Sequence, residues 1–597
     1  MNHLCYINIF EYRNLHNVDM SFDSRYDFSL DRNRNVLSIE KRKGVPDGFW
    51  GKNVYSLTAI VGNNGAGKST ALRFILEALV DGSWSRKELK GMIVIVDDEE
   101  RFSIFVPEEL QRVYKCNVKG VIVDSIDKME DLPSMETLYY GSHFNPLTTP
   151  EDILTMQWTG LKNISDGYLL TRDLQDYGNN LATNGIYPFR DYATAFNSQN
   201  QYRICYFLNQ YDSAIKKSLR LPKYLMIFPN KAGQWALTHK LKAARKSKLP
   251  EIVIPENWNA RNKALADIIY HNMLNVEADG MTSGLRWIPL LRRWIKYAVE
   301  NQSNNIVDTY LAFIQTIKSE REKQLCMYIY ECANILANTC RDESNVFYSW
   351  LYYDIEEDKA CIEMLLGWIV SHRVYLTCRF FDMQYAHDFK TTTFLSSGEQ
   401  EMLNLYSRIY DSVVRIKQRG FSEDTPQLFI FDEAEIGYHP EWQRQFVNNI
   451  VKYLNDMAGR YNLRCQIVLT SHSPIILSDI PVECCNMLLK DDEKNETVNV
   501  TKSRKQTFGT NVFELYRDSF FLNGGMMGEF ASNYIQQLDE EIDKTTEAND
   551  EFLEERISLI GDRVIRDYLM SKLLLQDKKW LRAYYSRALK ELDDEQD

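Results

Sequence analysis

Residues Ser56-Leu-Thr-Ala-Ile-Val61 run straight into Gly62-Asn63-Asn64-Gly65-Ala66-Gly67-Lys68-Ser69-Thr70, and Leu72–Val80 follows with apolar residues at helical spacing. The short, largely apolar run predicts a buried strand. The pattern G-x-x-x-x-G-K-S between a strand and a helix is what a phosphate cradle requires. Its glycines let the backbone curl so that successive N–H groups point inward. The helix start adds a partial positive charge. On this reading Asn63, Asn64, Gly65, Ala66 and Gly67 surround the phosphates of ATP. Lys68 reaches the β- and γ-phosphates, and Ser69, with Thr70 beside it, ligates Mg²⁺. A chance glycine turn before a helix is the plainer alternative, and the strand–loop–helix context argues against it.

Three stretches downstream carry compatible chemistry. In Pro426-Gln-Leu-Phe-Ile-Phe-Asp432-Glu433 an apolar strand ends in two carboxylates. Asp432 is placed to hold the metal, and Glu433 to polarise an attacking water as general base. A strand running into an acidic turn explains the same residues without chemistry. Phe394-Leu-Ser396-Ser-Gly398-Glu399-Gln400 precedes a helix with Met402, Leu403, Leu405, Tyr406 and Ile409 on its apolar side. Free N–H groups and the Ser396 hydroxyl there offer a second anion site. The plainer alternative is a capping box between Ser396 and Glu399. Gln466-Ile-Val-Leu-Thr-Ser-His472-Ser-Pro474 is a strand delivering a histidine into a loop. A lone histidine is usually structural. This one ends the next predicted strand after Asp432–Glu433, where it could sense a γ-phosphate.

In this order and context the four stretches resemble the ABC ATPase set: a Walker A loop at Gly62–Thr70, a signature loop at Leu395–Gln400, a Walker B strand at Phe429–Glu433 and a switch histidine at His472. The resemblance implies that the signature loop completes the ATP site of a second copy. Ser396, Gly398 and Glu399 then act in trans, and ATP holds a head-to-tail homodimer together. Within that group the chain is similar to the SMC, RecF and OLD-like branch. His3–Phe22 looks like its paired N-terminal strands, the signature reads LSSGEQ, and Asp432-Glu-Ala-Glu-Ile-Gly-Tyr-His439-Pro440 follows the branch's D-E-x-E-x-x-x-H-P pattern. No glutamine stands in Met135–Pro146, where the Q-loop of the family belongs. Thr507-Phe-Gly-Thr-Asn511 through Gly528-Glu-Phe530 resembles the stretch after the ATPase in the ATPase subunit of Septu-type antiphage systems. That likeness implies a separate HNH-type nuclease as partner and DNA or RNA as its target.

The expected fold class is α/β: a P-loop ABC-type head, with a mixed or parallel sheet flanked by helices, a large and mostly helical insertion, and a helical C-terminal extension. Residues 1–149 and 386–485 form the head, 150–385 the insertion in place of a coiled coil, and 486–597 the extension. Ser319–Leu336 and Asp358–Ile369 read as helices of the insertion. His239–Lys248 and Arg286–Lys296 interleave basic residues with tryptophan, which suits backbone contact and stacking, or else a solvated helix face with tryptophan packed inward.

The net charge of −13 over 597 residues argues against a general nucleic-acid coat. The 11 cysteines show no CxxC pair and no zinc spacing, which points to reduced thiols in a cytoplasmic protein. No apolar run approaches the length of a membrane span, so a transporter ATPase would need another subunit. A RecF-like repair ATPase and an OLD-like ATPase with its own nuclease remain competing readings. The latter lacks a clear acidic metal pair at the end of an apolar strand after His472.

Overall fold

The quoted run forms the strand Val54–Gly62, buried at every position from Ser56 onward. Parallel neighbours flank it on both sides, Cys465–Ser471 on one and Cys485–Asp491 on the other. Such flanking explains why its sequence is apolar without alternation. Beyond Cys465–Ser471 come Gln427–Asp432, Glu136–Gly141 and Leu161–Asn163, all parallel, while Glu496–Asn499 closes the far edge antiparallel. Register aligns Ile60 with Thr470, Thr470 with Asp432, and Asp432 with Gly141. Four strands from distant parts of the chain therefore end together. The carboxyl edge of such a sheet is where ligands bind.

The computed structural model describes residues 2–80, 88–141, 160–170, 172–173, 192–213, 216, 219–243, 249–251, 255, 258–278, 287–301, 305–340, 346–347, 350–371, 380–388, 390, 393–418, 427–491, 496–518, 527–544, 551–575 and 585–586. They divide into two units, Met1–Leu515 and Tyr516–Asp597.

In the first unit the helix Lys68–Leu79 lies between the parallel sheet and a second, five-stranded sheet. That sheet runs in the order Leu15–Ser21, His3–Tyr12, Lys90–Val96, Arg101–Val106 and Ile122–Lys128. Leu4, Ile7 and Ile9 of His3–Tyr12, with a register shift between Leu4 and Tyr6, join Ala71, Leu72 and Ile75 of the helix and Ile60, Ile430 and Val468 of the parallel sheet in one core. The opposite face packs Cys5, Tyr6 and Val94 against Tyr26, Phe28 and Ile39 of the small sheet built from Tyr26–Asp31, Val36–Lys41 and Lys115–Lys119. The buried Gln466 carboxamide pairs with both Leu4 backbone groups, accepting from its N–H at 3.0 Å and donating to its carbonyl at 2.7 Å.

The insertion is mostly helical, as expected, and carries a small sheet that the sequence did not announce. Its helices include Ala260–Ala278, Trp287–Glu300, Ile306–Gln315, Glu320–Thr339 and Lys359–Ser371. It also holds an antiparallel sheet in the order Val346–Phe347, Trp350–Asp354, Tyr224–Phe228, Asp382–Asp388 and Thr393–Phe394. The boundary expected after residue 385 falls inside Asp382–Asp388, and the one after 485 falls inside Cys485–Asp491. Both cuts sit within backbone pairing, so the parallel sheet runs on to Asn499.

In the second unit the helices Glu529–Lys544, Glu551–Ser558 and Arg563–Leu575 enclose Leu538, Ile542, Leu553, Ile557, Leu569 and Leu573. The acidic stretch from Leu538 thus contributes Leu538 and Ile542 to a small apolar core. Among the described residues, no helix is long and apolar enough to cross a membrane.

Candidate functional site

At the end of Val54–Gly62 the chain must bend sharply against its neighbour. A Cβ on Gly62 would stand 2.1 Å from the Leu488 carbonyl oxygen, so only glycine fits. Gly65 and Gly67 adopt left-handed φ angles of 77° and 87°, and Gly67 caps the helix Lys68–Leu79. That helix start has no side-chain cap and no acidic residue in its first turn. Its N–H groups are therefore available to an anion. Open space surrounds Gly65, and Ser69 is exposed beside it. This arrangement fits a triphosphate on the loop and a hydroxyl ligand to Mg²⁺.

Lys68 is buried, and its Nζ donates to the Gly62 carbonyl at 3.1 Å and the Asn63 carbonyl at 3.3 Å. Burial lowers the pKa of its ammonium, and the charges of Glu433, Asp432 and Glu435 partly pull it back. Those three carboxylates come from the end of Gln427–Asp432 and the turn after it. Asp432 accepts from the Thr470 hydroxyl at 2.5 Å on Oδ1 and from the Tyr139 phenol at 3.0 Å on Oδ2. Burial first, and then the Asp432 charge, push the Tyr139 phenol well above its ordinary value, so it stays a donor.

Glu433 adopts a left-handed φ of 50°, a conformation unusual outside glycine. Thr470 holds it there: the Glu433 N–H donates to the Thr470 carbonyl at 3.2 Å and to its hydroxyl at 3.0 Å. Strain of this kind persists where surrounding bonds over-determine the backbone. It turns the Glu433 carboxylate toward His472, whose Nε2 lies 3.0 Å from Oε1. His472 is fixed from behind, because its backbone N–H donates to Glu435 Oε1 at 3.2 Å and the Ser471 hydroxyl donates to the same oxygen. Burial raises the Glu435 carboxyl above its usual range, and those hydrogen bonds oppose it. Ser473 continues the chain of contacts by donating to Gln443 at 2.7 Å.

Structure thus brings Lys68, Asp432, Glu433 and His472 to one edge. It places Ser396, Gly398 and Glu399 elsewhere. The helix Ser397–Gln418 begins with a formed capping box: Ser396 N–H and hydroxyl donate to Glu399 Oε2 at 2.8 and 2.9 Å, and Glu399 N–H donates back at 3.3 Å. His387 Nε2 lies 3.1 Å from the other Glu399 oxygen. Burial alone would raise the Glu399 carboxyl; Ser396 and His387 outweigh it and hold it below its usual range. Among the described residues no hydrogen bond joins Leu395–Gln400 to Gly62–Thr70.

Four residues to which the sequence motifs gave no role complete the edge: Tyr139, Thr470, Glu435 and Ser471. Only strand register reveals the first two, since each reaches Asp432 across a parallel pair. The two basic-aromatic stretches resolve differently. Trp287 and Trp294 are buried, with Arg292, Arg293 and Lys296 exposed on the far side of their helix, so these tryptophans are core and not a stacking platform. Residues 244–248, Arg286 and the 142–146 end of the expected Q-loop region lie outside the described residues. Among the described residues, no group of three or more His, Cys, Asp or Glu is placed to hold a metal by itself.

Residues 240–478 match the family described as "AAA domain, putative AbiEii toxin, Type IV TA system". No curated protein matches the chain. Comparison with solved structures pairs 84% of this chain with 98% of a chain from "Structure of the recombination mediator protein RecF-ATPrS in RecFOR pathway", at 10% identity and a TM-score of 0.21. The matched family segment contains the carboxylate and histidine strands, and the described phosphate loop precedes it. The chain carries a P-loop ATPase domain.

Proposed function

We propose that this protein hydrolyses ATP at an interface between two of its own copies and uses that cycle to control a partner nuclease acting on DNA or RNA, as in bacterial antiphage defence. The observation that carries the first half is the convergence of Lys68, Asp432, Glu433 and His472 at the carboxyl edge of one parallel sheet. The second half draws support from the toxin description of the matched family and from the Septu-like sequence after residue 507.

The chemistry follows from the side chains. Loop amides and Lys68 receive the phosphates and offset charge that develops on them during in-line attack by water. Glu433 orients that water and accepts its proton. Mg²⁺, where bound, would be held by Ser69 and Asp432 and would neutralise charge on the phosphates. His472 Nε2 lies 3.0 Å from Glu433 Oε1, and from there it would register whether a γ-phosphate is present. At the capped helix start Ser396 is exposed and would meet the phosphate of a second copy, while Gly398 is buried beside Trp442. Loss of the γ-phosphate would release that contact and loosen the dimer.

Ser396→Arg tests the shared site. The variant should bind nucleotide as a monomer, fail to dimerise with ATP by light scattering, and lose phosphate release. Wild-type dimerisation and turnover would remove the trans role. Co-expression with the neighbouring genes then tests the partner: a nuclease that co-purifies and responds to Glu433→Gln supports the reading, and a nuclease indifferent to it does not.

A further inference from the structure

The family likeness leaves a gap, because no glutamine occupies the stretch where the Q-loop would place one. Within the described part of that stretch lies Tyr139. It lies on Glu136–Gly141, paired in parallel with Gln427–Asp432, and Tyr139 stands opposite Ile430, two positions before Asp432. The side chain is half-buried, and its phenol donates to Asp432 Oδ2 at 3.0 Å, while the Thr470 hydroxyl donates to Oδ1 at 2.5 Å. The two donors approach the carboxylate from the strands on either side, which fixes its rotation about the last side-chain bond.

We propose that Tyr139 is a positioning residue for the metal site: it holds Asp432 so that the remaining lone pairs of the carboxylate face the phosphate loop. This rests on the ATPase reading above. A carboxylate offers about four lone-pair directions, so two can accept hydroxyl hydrogens while another ligates Mg²⁺. Without the Tyr139 donor the carboxylate loses a tether on its Oδ2 side and meets the cation in the wrong orientation part of the time. The anchoring of Tyr139 is itself rigid. Its backbone carbonyl accepts from Ile164 N–H at 2.8 Å, and the next-but-one residue, Gly141, donates to the Ser165 hydroxyl at 2.8 Å.

Tyr139→Phe keeps the ring and removes only the donor. The test measures Mn²⁺ affinity of the ATP-bound protein by electron paramagnetic resonance titration, beside ATP affinity in EDTA. The expected result is roughly a 10-fold weaker metal affinity, in the range seen when hydrogen-bond partners of metal ligands are removed, with ATP affinity in EDTA unchanged. In the Asp432→Asn background the same substitution should add little, because the group it positions is gone. Unchanged Mn²⁺ affinity overturns the assignment. So does a full additional loss in the Asp432→Asn background, which would mean that the phenol acts on folding or on the nucleotide directly. A wild type that binds no ATP overturns the ATPase reading together with it, whereas a wild type that binds ATP alongside an indifferent Tyr139→Phe overturns the positioning role alone.

Discussion

Replacing Glu433 by Gln isolates one function at the carboxyl edge. The backbone at 433 is left-handed with φ 50°, and its N–H is tethered to Thr470. Glutamine bears the same strain and keeps the same tether, so the fold should survive. Lys68 loses one of the three carboxylates that offset its burial and retains Asp432 and Glu435. Phosphate binding should therefore persist, and it should tighten, because a negative side chain no longer faces the γ-phosphate. What disappears is the base. General-base catalysis contributes about 10²- to 10⁴-fold, the equivalent of roughly 3–5 kcal/mol of barrier. The expected outcome is phosphate release slowed at least about 100-fold, with a dimer that forms with ATP and does not decay on the wild-type timescale. Steady-state phosphate release and light scattering after ATP addition read the two halves. Turnover within about twofold of wild type would refute the base assignment and leave the His472 contact a structural one.

Other outcomes follow from the same geometry. Lys68→Ala should weaken ATP binding about 10- to 100-fold, the worth of one or two charge-assisted hydrogen bonds, as read by fluorescent-nucleotide titration. Acid should destabilise the N-terminal sheets through Asp23, which accepts from Arg25 and Tyr55. Burial alone would raise the Asp23 carboxyl, yet His3 and Arg25 hold it below its usual range. Because the folded value lies below the unfolded one, this contribution is present above the ordinary carboxylate range and lost as pH falls through the folded value. Asp23→Asn should flatten that part of the acid unfolding curve; an unchanged slope would place the acid sensitivity elsewhere.

The parts of the site that could be read from sequence are those whose chemistry is local. A glycine loop between a strand and a helix, a strand ending in Asp432–Glu433 and a strand delivering His472 each announce themselves within about ten residues. The Tyr139–Asp432 bond joins residues 293 positions apart and depends on which strands become neighbours, which no local pattern encodes. The insertion sheet was hidden for a related reason. Its strands are two to seven residues long and scattered between longer helical runs, so helical periodicity dominated the window. In the C-terminal unit the expected helices form, and Leu538 and Ile542, spaced to share a helix face, join their core among acidic neighbours.

Synthesis of this chain poses a timing problem. The strand that presents the phosphate loop leaves the ribosome early, but the partners on both its sides begin only at Cys465 and Cys485. At about 5–20 residues per second, roughly 400 intervening residues mean on the order of 20–80 s during which an apolar strand waits with both edges unpaired. The five-stranded N-terminal sheet and the helix Lys68–Leu79 can shelter one face meanwhile. Even so, expression yield in cells should depend on chaperone capacity and translation speed more than the stability of the finished protein would suggest.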